Sequence, residues 1–247
     1  MKKRALISAI AMLVVSAIVL TSATFAWFSM GQKVTVEQFK ANVSEADGLL
    51  ISAYEDKDFN TSVSLKDIRD AKDADLSIPN EGSKISPVSS NGKGTFIAGY
   101  LDDQHDLQTS EAEDGSYYKI PLYIKYYGTE TATIALDGTT VGTGDKESNA
   151  YKAVRIATSE ASYVFAPNSE TNETFKYVAK VDGSEETLSN VVTSAEGVDG
   201  NNLMFKLEPG KTTKIIVYVW LEGTDPQCTD EEAAGGDFTV DLVFVKR

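Results

Sequence analysis

The residues able to do acid–base or nucleophilic chemistry are few and poorly placed. His105 is the only histidine, and it sits in the polar run LDDQHDLQ. The zinc-protease pattern HExxH is absent, and no GxSxG precedes a helix to present a serine to that histidine. There is no Walker A loop, and Gly142-Thr143-Gly144 reads as a turn rather than a link between a strand and a helix. These residues argue against an enzyme.

Hard oxygen ligands are more plentiful. The stretch LEGTDPQCTDEEAAGGD holds Glu222, Asp225, Asp230, Glu231, Glu232 and Asp237 with no basic residue. Carboxylates on a flexible loop suit Ca²⁺. Glu222, Asp225, Asp230 and Asp237 are therefore the calcium candidates, although their spacing is not that of an EF-hand. The competing reading is a solvated acidic loop; LDDQHDLQTSEAEDG has the same character. No other cofactor is implied. Cys228 lies in the first of these loops and is the sole cysteine, so an intramolecular disulfide is impossible. It is either an incidental thiol, or a reactive one open to an intermolecular bridge. Tyr117, Tyr123 and Tyr127 share one face of YYKIPLYIKYY, where they would stack on a sugar, meet a partner, or cover a sheet edge.

The elements that position these groups begin after an export segment. MKKRALISAIAMLVVSAIVLTSATFAWF has a basic start and then no charge from Ala5 to Phe28. That stretch suits a cleaved signal, and it is also long enough to stay as a membrane anchor. Either way the basic end remains cytoplasmic and the rest is exported through the Sec pathway to the cell surface. Small residues at Thr24 and Ala26 place a cut between Ala26 and Trp27. Residues 1–26 are then signal or anchor, with membrane contact only through residues 5–28, and residues 27–247 form one domain. The net charge is −14, and cutting leaves 20 basic against 37 acidic side chains, or −17. Such a balance excludes nucleic acid as a partner.

Past Met30 the pattern is β. In KVTVEQFKANV, Val34 and Val36 share one face whereas Phe39, Ala41 and Val43 share the other, so a bulge or break is expected near Glu37-Gln38. SYYKIPLYIKYYG alternates cleanly, with Ile120, Leu122, Ile124 and Tyr126 on one side. TATIALDGTTV does so with Ala132, Ile134 and Leu136, then a turn at Asp137-Gly138. TTKIIVYVWLEG is apolar on both faces and reads as a central strand. SLKDIRDAKDADL reads as a short helix. The expected fold is all-β: an antiparallel, jelly-roll-like β-sandwich behind an N-terminal signal or transmembrane helix, with long loops near 56–93 and 182–202.

Two segments resemble a known family. SATFAWFSMGQKVTV is similar to the export signature of the TasA/camelysin group of firmicutes, matched here at Thr24, Phe25, Ala26 and Phe28. VYVWLEGTDPQCT…GGDFTVDLVF resembles the last two strands and intervening loop of proteins with that signature. The resemblance implies a W-type signal peptidase, an extracellular jelly-roll-like subunit and, for some members, biofilm-matrix fibres completed by a neighbour's N-terminal strand. Trp27 departs from the pattern, which has a small Ala before the mature Phe; this moves the expected cut to after Ala26. Camelysins have been labelled proteases, which the single histidine does not support. The expected function is a self-assembling filament subunit whose donor strand is anchored by Trp27, Phe28, Val34, Val36 and Phe39. The alternative is a monomeric, tethered or secreted module that binds a glycan or protein.

Overall fold

The computed structural model describes residues 35–80, 84–101, 107–136, 139–144, 148–160, 163–166, 175–192, 204–225, 227–228 and 236–247. In chain order the elements are β1 (Thr35–Val43), β2 (Leu49–Ser52), β3 (Ser62–Ser64), α1 (Leu65–Ala71), β4 (Ile97–Leu101), β5 (Leu107–Glu111), β6 (Tyr118–Tyr126), β7 (Ala132–Leu136) and β8 (Thr140–Thr143). They continue with β9 (Val154–Thr158), β10 (Val164–Phe165), β11 (Phe175–Val178), β12 (Glu185–Leu188), β13 (Val191–Val192), β14 (Met204–Leu207), β15 (Thr212–Leu221) and β16 (Asp237–Lys246).

The chain is β-rich, and its strands form two six-stranded sheets. The first runs β14–β7–β16–β1–β3, with β8 also on β16; the second runs β13–β10–β9–β15–β6–β2. Their inner faces share one apolar cluster. Ile120, Leu122 and Ile124 on β6 lie opposite Val217, Ile215 and Thr213 of β15, while Phe238, Val240, Leu242 and Phe244 line β16. The period-2 patterns of these segments set this arrangement directly, because alternate side chains must leave water together. β15 is central, as its two apolar faces require: it pairs with β6 on one side and β9 on the other.

The sheets are mixed rather than purely antiparallel. β1 pairs parallel with β16, and β10 parallel with β13. In β1 the register slips between Val36 and Gln38, which makes Glu37 the extra residue of a bulge. The bulge cancels the phase slip of the sequence: Val36, Phe39, Ala41 and Val43 all enter the core, at 7%, 2%, 0% and 8% exposure.

The expected turn at Asp137-Gly138 does not reverse the chain. Residues 137–138 lie outside the described residues, but the pairings on either side continue along one partner. Leu136 is opposite Phe244 and Thr140 opposite Asp241, and both strands run antiparallel to β16. β7 and β8 therefore run in the same direction, with the Thr139 hydroxyl accepting from the Val243 N–H at 3.0 Å.

The long connection 56–93 is not without structure. It carries β3 and α1, the latter opened by a capping box in which Ser64 and Asp67 bond reciprocally. Those Ser64 bonds hold the Asp67 carboxyl below its usual range. Ile68 plugs the core at 1% exposure. Residues 73–79 then form a strap along the edge of β6 beyond β2, from which Asp73 and Asp75 reach over the outer face of the second sheet. Ser77 exchanges both backbone hydrogen bonds with Lys119, at 3.0 and 2.7 Å. Asp73 accepts from the Tyr123 hydroxyl at 2.5 Å and from Lys214 at 2.9 Å, and Lys214 also reaches Asp75 at 2.8 Å. Within 182–202, β12 and β13 are formed, and residues 193–202 lie outside the described residues.

The other end of the same outer face is capped by the β4–β5 and β11–β12 hairpins. Under them lies a second apolar cluster centred on Trp220, against which Phe96 packs edge-on at 5.5 Å while stacking on Tyr117 at 3.7 Å. Among the described residues no helix is long and apolar enough to cross a membrane.

Candidate functional site

The donor-strand candidates divide between two regions. Trp27, Phe28 and Val34, like the cut at Ala26-Trp27, lie outside the described residues. Val36 and Phe39 are buried on β1, which lies between β16 and the short β3 in the first sheet. β16 flanks β1 over the whole length, with Val36 opposite Phe238 and Val43 opposite Phe244. On the other side β3 pairs with Lys40, Ala41 and Asn42. On the outer face the Asn42 amide donates to the Asp241 carboxylate and to the Leu242 carbonyl.

β1 is thus the N-terminal strand of the described fold seated inside a sheet. It is joined to the next strand by the short turn Ser44–Gly48, whose Gly48 takes the left-handed conformation at φ 74°. Burial of Val36, Phe39 and Val43 alone is worth roughly 5–8 kcal/mol by transfer bookkeeping. A stretch carrying that much of the core cannot hang free; it needs a slot of this shape.

Other edges offer little room. The outer strands β14, β8, β3, β13 and β2 have 4, 4, 3, 2 and 4 residues. The far side of β2 is already bridged from Ile51 to Asn60. Short edges of this kind resist strand addition, whereas the β1 slot accepts nine residues.

The acidic loop is not what its composition suggests. Glu222 and Asp225 are buried, at 0% and 5% exposure. Glu222 accepts from the Ser89 hydroxyl at 2.7 Å, the Trp220 indole at 3.0 Å and the Thr224 hydroxyl at 2.9 Å. Burial pushes its carboxyl pKa up, opposed by the Trp220 and Ser89 bonds and by the charge of Arg155. Asp225 is ion-paired with the fully buried Arg155, which also donates to the Lys152 and Val154 carbonyls at 3.0 and 3.1 Å and lies over the Phe175 ring. A calcium ion at Asp225 would have to displace that guanidinium. These carboxylates pin residues 222–225 and 227–228 beneath the cap hairpins. Asp237 lies apart from this cluster, half-buried at the start of β16, with its carbonyl accepting from the Gly144 N–H at 2.9 Å. Asp230, Glu231, Glu232 and His105 lie outside the described residues. No group of three or more His, Cys, Asp or Glu positioned to hold a metal occurs among the described residues.

Cys228 is buried at 3% exposure in the main core, and burial raises its thiol pKa, further raised by Asp225 and Glu222. That describes an inert structural thiol. The three tyrosines do not form a common open face: Tyr117 stacks on Phe96, Tyr123 is buried beside Asp73, and only Tyr127 is exposed, at 54%.

Sequence reasoning missed Arg155. Its signal was present, since a guanidinium inside the apolar strand YKAVRIATS needs a buried acid, and the loop after β15 is the richest source of acids. It also missed β16 as the partner of β1, because no local pattern encodes a pairing so distant in sequence. Compared with protein-family models, curated proteins and solved structures, the chain matches none.

Proposed function

We propose that this protein is an exported structural subunit of a cell-surface or matrix filament, built on a jelly-roll-like sandwich, which assembles by exchanging its N-terminal strand with a neighbouring copy. The observation that carries the reading is the position of β1: at the start of the described fold, in the interior of a sheet, and tied to the rest by a short turn. A strand so placed makes the same contacts in its own slot or in that of a second copy. Exchange therefore costs little beyond opening the Ser44–Gly48 turn, and each chain that gives its strand away must receive one. Residues 27–34, once freed by a cut after Ala26, lead into β1 and supply the aromatic tip Trp27-Phe28. The resemblance to the TasA/camelysin export signature supports the same reading.

The monomeric alternative, a tethered or secreted binding module, is favoured by one observation: β1 closes its own sheet within a single chain. The two are separated by the N-terminal residue of the native extracellular protein, read alongside negative-stain images of the same sample. Trp27 at the N-terminus together with fibres is the expected result. An intact Met1 in a membrane fraction without polymers would select the monomeric module.

A further inference from the structure

A cavity of about 560 Å³ lies between α1, the strap and the β5–β6 turn. Its walls come from Arg69, from Leu76 to Asn80, and from Asp114 and Gly115. The site is built rather than incidental. The strap is fixed by the Ser77–Lys119 backbone pair, and the turn is fixed to the strap by the Gly115 N–H donating to the Ser77 hydroxyl at 3.2 Å. Leu76 and Ile78 are only half-covered, so an aliphatic surface is left facing the opening.

The polar groups are mixed in kind. Arg69 is half-buried above Tyr118, whose hydroxyl is pushed up to about 12 by burial and drawn back by the Arg69 charge. No ion pair or side-chain hydrogen bond engages Arg69, Asn80 or Asp114 among the described residues. The cavity thus presents donors at Arg69, donors and acceptors at Asn80, and acceptors at Asp114 beside an aliphatic wall. A polyanion would meet Asp114 and a protein of net charge −14. A cation would meet Arg69. A ligand whose every polar group both donates and accepts, and which has an apolar C–H face, meets no mismatch.

We propose that this cavity binds a short neutral saccharide segment, with hydroxyls divided between Arg69, Asn80 and Asp114 and one ring face against Leu76 and Ile78. The size suits about two or three sugar rings, within the range of small-ligand sites. The inference is independent of where β1 pairs, since no wall of the cavity belongs to the first sheet.

The test is titration of the full chain with a panel of neutral trisaccharides of gluco, galacto, manno and N-acetylated type, with trigalacturonate as the anionic comparison, followed by calorimetry. At least one neutral probe is expected to bind, with little dependence on salt, and to weaken at least tenfold in both Arg69→Ala and Asp114→Asn. Lys66→Ala, on α1 but outside the cavity, should leave binding unchanged. Asp114 is exposed in a turn, so its variant stays interpretable if Arg69→Ala fails to fold. Three results would each overturn the proposal: no neutral probe binds, trigalacturonate binds better in a salt-dependent way, or binding survives both substitutions.

Discussion

Asp225→Ala removes the carboxylate that neutralises Arg155, in a place where both side chains are at 0% exposure. The ion pair itself adds little net stability, because its attraction is offset by desolvation. Breaking it from one side is another matter: a guanidinium stays buried beside Phe175 without its counter-charge, at a cost of about 3–5 kcal/mol. The variant also loses the bond from the Gln227 N–H to the Asp225 carboxylate, 2.8 Å in the intact protein. A chain of this size unfolds in urea with a slope near the upper end of the usual range, about 3 kcal/mol per molar. The midpoint should therefore fall by about 1–2 M. The double variant Arg155→Met/Asp225→Leu should recover most of that loss, since a packed apolar pair needs no counter-charge. A single-variant shift below about 0.3 M would refute the buried pair, as would a double variant no better than the single. If calcium raised the wild-type midpoint and Asp225→Ala abolished the rise, Asp225 would be a metal ligand and the present assignment wrong.

Gly92 has φ 76°, and a Cβ there would lie 2.6 Å from that of Ala157, so Gly92→Ala should cost on the order of 2 kcal/mol or more in urea unfolding. Cys228 should not react with a thiol-specific disulfide reagent in the native protein and should react fully once unfolded; fast native labelling would place it at the surface. The strap should loosen in acid. For Asp73, burial raises the carboxyl pKa but is outweighed by bonds from Tyr123, the Asp75 N–H and Lys214, so the folded value lies below the ordinary one. A lowered folded pKa gives stability that is present above the ordinary carboxyl value of 3.8 and lost as pH falls through the folded value. Urea midpoints should thus drop below about pH 4, and Asp73→Asn should flatten that drop while lowering stability at pH 7; an unchanged profile would contradict the latch.

Much of the fold could be read from local pattern. β6, β15 and β16 alternate so regularly that their inner faces were fixed by sequence, and the bulge at Glu37 was visible as a slipped phase between Val36 and Phe39. What stayed hidden depends on partners far along the chain. The parallel seating of β1 against β16 spans about two hundred residues (Thr35 to Asp237), and no local rule specifies it. Asp137-Gly138 resembles a hairpin turn, yet β16 is long enough to hold the strands on both sides of it. The acidic loop misled for a related reason: composition counts the carboxylates of Glu222 and Asp225, but only tertiary packing supplies Arg155, Ser89 and Trp220 as their partners. The cavity was illegible because α1, the strap and the β5–β6 turn converge only in the folded chain.

In the proposed assembly β1 passes between copies. Lys40 and Asp241 are register partners on neighbouring strands, both exposed on the outer face. Neighbouring strands lie about 4.8 Å apart, within the span of a disulfide. In a Cys228→Ser background, Lys40→Cys and Asp241→Cys would be carried by separate chains, mixed before assembly and then oxidised. Exchange predicts covalent dimers on a non-reducing gel from these single-cysteine chains, and ladders from the double variant. Single-cysteine mixtures that stay monomeric, with a double variant that links only within its own chain, would contradict it.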